Sequence, residues 1–188
     1  MWTVFDQLKN WFGTSQRAVP LGMPLMEVLD LSVGMFNHSH YQVRFAAQND
    51  YHWLIELQKL CYEEKVLWDC QDFIMERHRN PRALHILIEE RESGKVVAAI
   101  TGRFEKRHSH VSHLMVHPNC QRIGLGRHLL ELWLSQSGAY GLSCVTLEVP
   151  RTNRPARQLY EQAGFHIQKI VHRYYETGED ALYMQRIL

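Results

Sequence analysis

The chain has almost no net charge, no closely spaced cysteine pair and no long apolar run, and each absence removes a class of function. Its 21 basic side chains against 20 acidic ones leave a net charge of +1, so nothing advertises nucleic acid or an anionic membrane as partner. Cys61, Cys70, Cys120 and Cys144 are scattered without a CxxC pair, which argues for free thiols in a reducing cytoplasm over disulfides. No apolar stretch approaches the ~20 residues that span a bilayer, and no secretory leader is in view. Internal repeats and low-complexity tracts are missing too. What remains is 188 residues with 45% hydrophobic content, enough for one core domain and an appendage. The twelve histidines invite a metal. Strand alternation puts His108 and His110 on one face and His113 on the other, however, and no carboxylate or cysteine completes a ligand set, so no metal is expected.

The most informative segment runs from Val116 to Leu130. It reads as the end of an apolar strand, a turn, then a glycine-punctuated entry into an amphipathic helix. Glycines at a helix start let backbone N–H groups approach a ligand closely, and the unsatisfied amides carry partial positive charge, a cradle for phosphate or pyrophosphate. A P-loop needs Lys then Ser or Thr after the last glycine, where this chain has Arg127-His128. A dinucleotide fingerprint needs a small residue where Leu129 stands.

The rest of the pattern agrees with an α/β fold having a mixed central β-sheet flanked by helices. A helix from Gln121 to about Gln136 puts Leu125, Leu129, Leu132 and Trp133 on one face, and Ser137 to Gly141 breaks it. Cys144–Val149 is a β-branched run ending near Glu148. Asn153 and Pro155 open a further helix that stops at Gly164, and Phe165–Ile167 resumes an extended chain. Upstream, Tyr41–Ala46 alternates as a strand, Asn49-Asp50 can cap a helix to about Tyr62, and a second helix fits Asp69 to Arg79 before Asn80-Pro81. Leu84–Ile88 and Val96–Ile100 read as adjacent strands. The expected order is β-α-α-β-β-β-α-β-α-β.

Gln121-Arg122-Ile123-Gly124-Leu125-Gly126 matches the Gln/Arg-x-x-Gly-x-Gly/Ala loop of the GCN5-related N-acetyltransferases at every defined position. Leu147-Glu148-Val149, Asn153 and Leu159–Phe165 resemble the second half of that superfamily's core. The tail, Arg173-Tyr174-Tyr175 with Gly178–Met184, is similar to the bacterial ribosomal-protein-alanine N-acetyltransferases. The resemblance covers residues 41–188 as one acetyltransferase domain.

It implies acetyl-CoA as co-substrate and a primary amine as acceptor, most simply the N-terminal α-amine of a protein such as a ribosomal protein. A small-molecule amine, or a non-catalytic acyl-CoA-binding domain, is the alternative. It further implies that the backbone of Leu114, Met115 and Val116 pairs with the pantetheine arm. Gln121, Arg122, Ile123, Gly124, Leu125, Gly126 and Arg127 would hold the pyrophosphate, and Asn153 would touch the cofactor arm unless it is only a helix cap. Glu148 would serve as general base, through water, against the competing reading of a structural ion pair. Tyr160 would serve as general acid for the thiolate, against that of an aromatic core residue. Trp68, Glu148, Tyr174 and Tyr175 would line the acceptor site, with Glu63-Glu64 attracting its ammonium.

Residues 1–40 lie outside the resemblance. Trp2, Phe5, Leu8 and Phe12 give an amphipathic, aromatic stripe, expected to pack on the core or on a second copy of the chain in a homodimer.

Overall fold

The computed structural model describes residues 40–62 and 67–188. The aromatic stripe of the first 39 residues and the Glu63-Glu64 pair lie outside the described residues.

Seven strands form one sheet in the order β1-β2-β3-β4-β5-β7-β6. They are β1 (Tyr41–Phe45), β2 (Ala83–Glu90), β3 (Val96–Phe104), β4 (His108–Val116), β5 (Cys144–Pro150), β6 (His166–Val171) and β7 (Ala181–Ile187). Every neighbouring pair is antiparallel except β4 and β5. That parallel pair requires a crossover, which α3 (Leu125–Ala139) supplies.

Helices cover both faces. On one side α3 and α4 (Arg154–Gln162) pack on Ile86, Ile100, Val111, Leu147 and Met184. On the other, α1 (Tyr51–Cys61) and α2 (Cys70–Arg79) pack on Leu87, Ala99 and Met115. The α3 stripe is as expected: Leu125, Leu129, Leu132 and Trp133 are all buried, each contributing about 1.5–3 kcal/mol through lost water contact.

Four details depart from the sequence-based expectations. The helix starts at Leu125, four residues late, because Arg122 (φ 65°) and Gly124 (φ 99°) both adopt left-handed backbone that no α-helix can include. It runs through Gly138 to Ala139 and ends before Gly141, whose φ is 81°. Asp50 precedes α1 without capping it: its carboxylate accepts from the Ala47 N–H and pairs with Arg44 at 2.6 Å. The expected order lacked β7, which pairs with both β5 and β6 and places β6 at the sheet edge.

A fifth departure moves a side chain across the sheet. Thr101 pairs with His113 but Gly102 pairs with Val111, so Ser112 is an extra residue in β4. The bulge inverts the alternation beyond it. His110 and His113, three apart, therefore share the face covered by α1 and α2, and the expectation that they lie on opposite faces fails. Gly102 permits the crowding opposite the bulge, since a Cβ there would stand 2.0 Å from the His110 carbonyl oxygen.

Candidate active site

The site begins where two parallel strands part. β4 and β5 pair only from His108–Val111 to Cys144–Leu147; beyond, Ser112–Val116 and Glu148–Pro150 are not paired with each other. The sheet opens there into a V-shaped gap. His117 donates its N–H to the Val97 carbonyl at 2.8 Å, which fixes the antiparallel alternation of β4 on β3. By that alternation the Met115 amide turns to β3, while those of Leu114 and Val116 turn toward the gap. The Val116 carbonyl receives Gln121 Nε2 at 3.1 Å and Cys61 Sγ at 3.4 Å. Of the three strand residues expected to pair with pantetheine, Leu114 and Val116 turn main-chain groups toward the gap and Met115 does not.

At the mouth of the gap lies the Gln121–Gly124 turn. The first intrahelical bond of α3 runs from His128 N–H to the Gly124 carbonyl, so the N–H groups of Leu125, Gly126 and Arg127 have no helical acceptor. Gly124 has open space where a Cβ would be. Left-handed residues before a helix start make a concave ring of N–H donors suited to an anion. Residues 122–127 thus fit a pyrophosphate by geometry. The Arg127 side chain is directed to Gln162 at 2.6 Å. Asn153 caps α4, its Oδ1 accepting from Ala156 N–H at 3.1 Å, which leaves its amide NH2 to reach a ligand.

Glu148 stands at the fork, on the α1/α2 face. Its Oε2 is 3.2 Å from His110 Nε2, and the two side chains are 9% and 2% exposed. A carboxylate only accepts, so Nε2 carries the proton in this contact. The other ring nitrogen lies 3.0 Å from Thr146 Oγ1. Burial alone would raise the Glu148 carboxyl, but His110, with Arg103 and Lys169 beyond it, holds it below its ordinary 4.5. Sequence reading considered His110 only as a metal ligand and set that aside; its place beside Glu148 depends on the register of β4 on β5, which pairs His110 with Thr146, and no local signal in the sequence gives it.

Phenols surround the carboxylate. Tyr174 and Tyr175, from the β6–β7 connection, meet edge to face at 5.0 Å. Burial raises both, and the Glu148 charge adds to it. Tyr62, at the end of α1, and Tyr160, on α4, are raised by burial in the same way. Tyr62, Tyr160 and Tyr175 stand close enough to disfavour one another's ionisation. Tyr160 also belongs to the core, its ring 5.8 Å from Phe165, so its two readings are compatible. The Tyr174–Tyr175 loop is anchored from below: Thr152 donates to Glu179, and Asp180 accepts from the Arg173 N–H.

Trp68 borders the site on the α1–α2 connection. Gln58 holds that segment from inside, donating to the Trp68 carbonyl at 2.7 Å and accepting from its N–H at 2.9 Å. The Trp68 ring packs against Phe73 and His113 at 5.2 and 5.1 Å. Among the described residues no three His, Cys, Asp or Glu side chains group as a metal would need, and no helix is long and apolar enough to cross a membrane. All four cysteines are free thiols.

Comparison with known proteins places this architecture. The model of the acetyltransferase (GNAT) family matches residues 41–165. An N-alpha-acetyltransferase of Sulfurisphaera tokodaii is 29% identical over 157 residues, covering 77% of this chain and 91% of that protein. An "Uncharacterized N-acetyltransferase" of Methanocaldococcus jannaschii is 34% identical over 92 residues, which is 48% of this chain and only 59% of the relative's length. The crystal structure of the ribosomal-protein-S18-alanine N-acetyltransferase from Escherichia coli superposes with a TM-score of 0.69 at 25% identity, covering 78% of this chain and 93% of that one.

Proposed function

The chain belongs to the acetyltransferase (GNAT) family, and we propose that it moves the acetyl group of acetyl-CoA onto the N-terminal α-amine of a protein. Acetyl-CoA supplies the activated acyl group. The chain's own residues do the rest. The N–H groups of residues 122–127 hold the pyrophosphate, and the Leu114 and Val116 amides align the pantetheine arm along β4. Glu148, with His110 behind it, takes the proton that the amine sheds as it attacks, and Tyr160 offers its hydroxyl proton to the departing thiolate.

One observation carries the choice of acceptor: a buried carboxylate that the imidazole 3.2 Å away keeps ionised against the effect of burial, below its ordinary range. Such a group is a weak base. An α-amine with a pKa near 8 is about one-tenth neutral at pH 7, a deficit of about 1.4 kcal/mol, whereas a lysine ε-amine near 10.4 would face about 4.6 kcal/mol. The site suits an amine that loses its proton without much help. Tyr174 and Tyr175 stand by the carboxylate, and Trp68 packs on His113; together they would wall a short peptide. Relatives that bear N-alpha-acetyltransferase and ribosomal-protein-alanine names agree with this reading. Four free thiols and dependence on acetyl-CoA fit a cytoplasmic setting.

The test is thiol release from acetyl-CoA with peptides bearing varied N-termini, the same peptides blocked at the N-terminus but carrying lysine, and small amines. Acetylation confined to free α-amines is expected. Reaction with polyamines or lysine alone would overturn the acceptor, and binding of acetyl-CoA without turnover would overturn the enzyme.

A further inference from the structure

β1 is an edge of the sheet, three strands or about 14 Å from β4. Where it ends, the surface is hollowed into a groove of about 600 Å³. Phe45, Ala46 and Gln48 line one side of it, and Ile74, Arg77 and His78 line the other. Those last three stand at i, i+3 and i+4 on α2, one face of the helix. Arg77 is held over the groove by its bond to the Ala46 carbonyl at 3.2 Å. No acidic side chain lines the hollow, and the Asp50 carboxylate, at the start of α1, is committed to Arg44 at 2.6 Å. The groove is therefore part apolar and part basic, and none of these residues has a part in the proposed chemistry.

The described chain enters β1 from His40, and 39 residues precede that point. Two parts of that length differ in charge. Residues 1–20 carry Lys9 and Arg17 against Asp6, whereas Leu21–Phe36 carries Glu27 and Asp30 with no basic residue, and ten of its sixteen side chains are apolar. Only the second part complements the groove. Reach permits the match. The five residues from Phe36 to Tyr41 span up to about 17 Å, about the length of β1 itself, so a chain turned back at His40 brings Phe36 level with Phe45. A segment tethered this closely is present at an effective concentration of about millimolar. A contact too weak to hold a separate molecule suffices to hold this one.

We propose that the groove is the docking site of the chain's own Leu21–Phe36 segment. Its apolar side chains sit on Phe45 and Ile74, and Glu27 and Asp30 face Arg77 and His78. The contact closes the end of β1 and fastens the chain's first residues to the acetyltransferase domain. It stands apart from the choice of acceptor.

The experiment is amide hydrogen exchange on the full chain, read by mass spectrometry over residues 21–36. In the wild type these amides should exchange at least about tenfold more slowly than in a free peptide of the same sequence. Ile74→Glu, which replaces an apolar contact by a charge, should remove most of that protection. His78→Glu, at an exposed position, should lower it about two- to fivefold, and adding Glu27→Lys with Asp30→Lys should bring it back. Urea unfolding confirms that each variant folds; should Ile74→Glu fail, the His78 series decides alone. Wild-type exchange as fast as the free peptide overturns the proposal. So does protection indifferent to His78→Glu, or no recovery in the charge-swapped protein. Protection that disappears on tenfold dilution assigns the segment to a second copy of the chain and overturns docking within one molecule.

Discussion

Replacing Glu148 by glutamine separates two ways in which this carboxylate could work. Moving a proton from an α-ammonium near 8 to a carboxylate held below its ordinary range is strongly uphill. Glu148 therefore cannot hold the acceptor's proton before attack. It takes that proton only as the carbon–nitrogen bond forms, when the nitrogen turns cationic and strongly acidic. Because Glu148 is ionised throughout the neutral range, pH dependence belongs to the acceptor. The value of kcat/KM should rise about tenfold per pH unit and level near pH 8, with a midpoint that moves when the peptide's α-amine pKa is changed.

Glu148→Gln should lower kcat/KM by about 10²–10³-fold at every pH while keeping the shape of the profile. The amide oxygen still accepts from His110, so only the charge assistance is lost, about 1–2 kcal/mol of stability. That contribution has a sign in pH. The folded-state carboxyl is depressed, so the pair stabilises the fold above the ordinary value of 4.5 and loses that effect as pH falls through the folded value below it. Thiol-release rates from pH 5.5 to 9.5, with urea unfolding of both proteins, check all of this. A rising limb that stays fixed across acceptors, or turnover within tenfold of wild type in the folded variant, would refute the reasoning.

Three other outcomes follow from the same geometry. Tyr160→Phe removes one hydroxyl from a ring that is 7% exposed, so stability should change by less than about 1 kcal/mol while kcat falls about 10²-fold and acetyl-CoA affinity, read by calorimetry, holds. In Gly126→Ala the new methyl would meet Val116 Cγ2 at 3.4 Å and Leu159 Cδ2 at 3.7 Å, ordinary contacts that leave the fold intact; on the proposed reading it adds bulk to the turn whose amides would hold the pyrophosphate, and the Kd for acetyl-CoA should rise tenfold or more by the same measurement. Gly102→Ala drives a Cβ to 2.0 Å from the His110 carbonyl, so β3 and β4 must separate, at a cost of about 3 kcal/mol in urea unfolding.

Much of the fold was legible in the chain because its determinants are local. The α3 stripe of Leu125, Leu129, Leu132 and Trp133, the Asn153 cap and the Gly164 stop each follow from spacing along a few residues. The turn before α3 was legible only in outline: its glycines stand in the sequence, but the left-handed backbone at Arg122 and Gly124 that moves the helix start to Leu125 does not follow from them. The extra residue in β4 was not legible. A bulge is set by the register of one strand on another, and only the pairing of Thr101 with His113 and Gly102 with Val111 reveals Ser112 between them. The same holds for His110 beside Glu148, 38 positions apart in sequence by their numbers, and for β7, whose insertion between β5 and β6 brings Tyr174 and Tyr175 to the site. Composition and periodicity determined a glycine-punctuated, anion-cradling turn on an α/β sheet, because helices and turns are built from near neighbours; acyl-CoA itself came from the resemblance to the acetyltransferases. Which face each histidine took, and which phenols gathered around the carboxylate, was decided by strand pairing across the sheet, a contact that no short stretch of chain encodes.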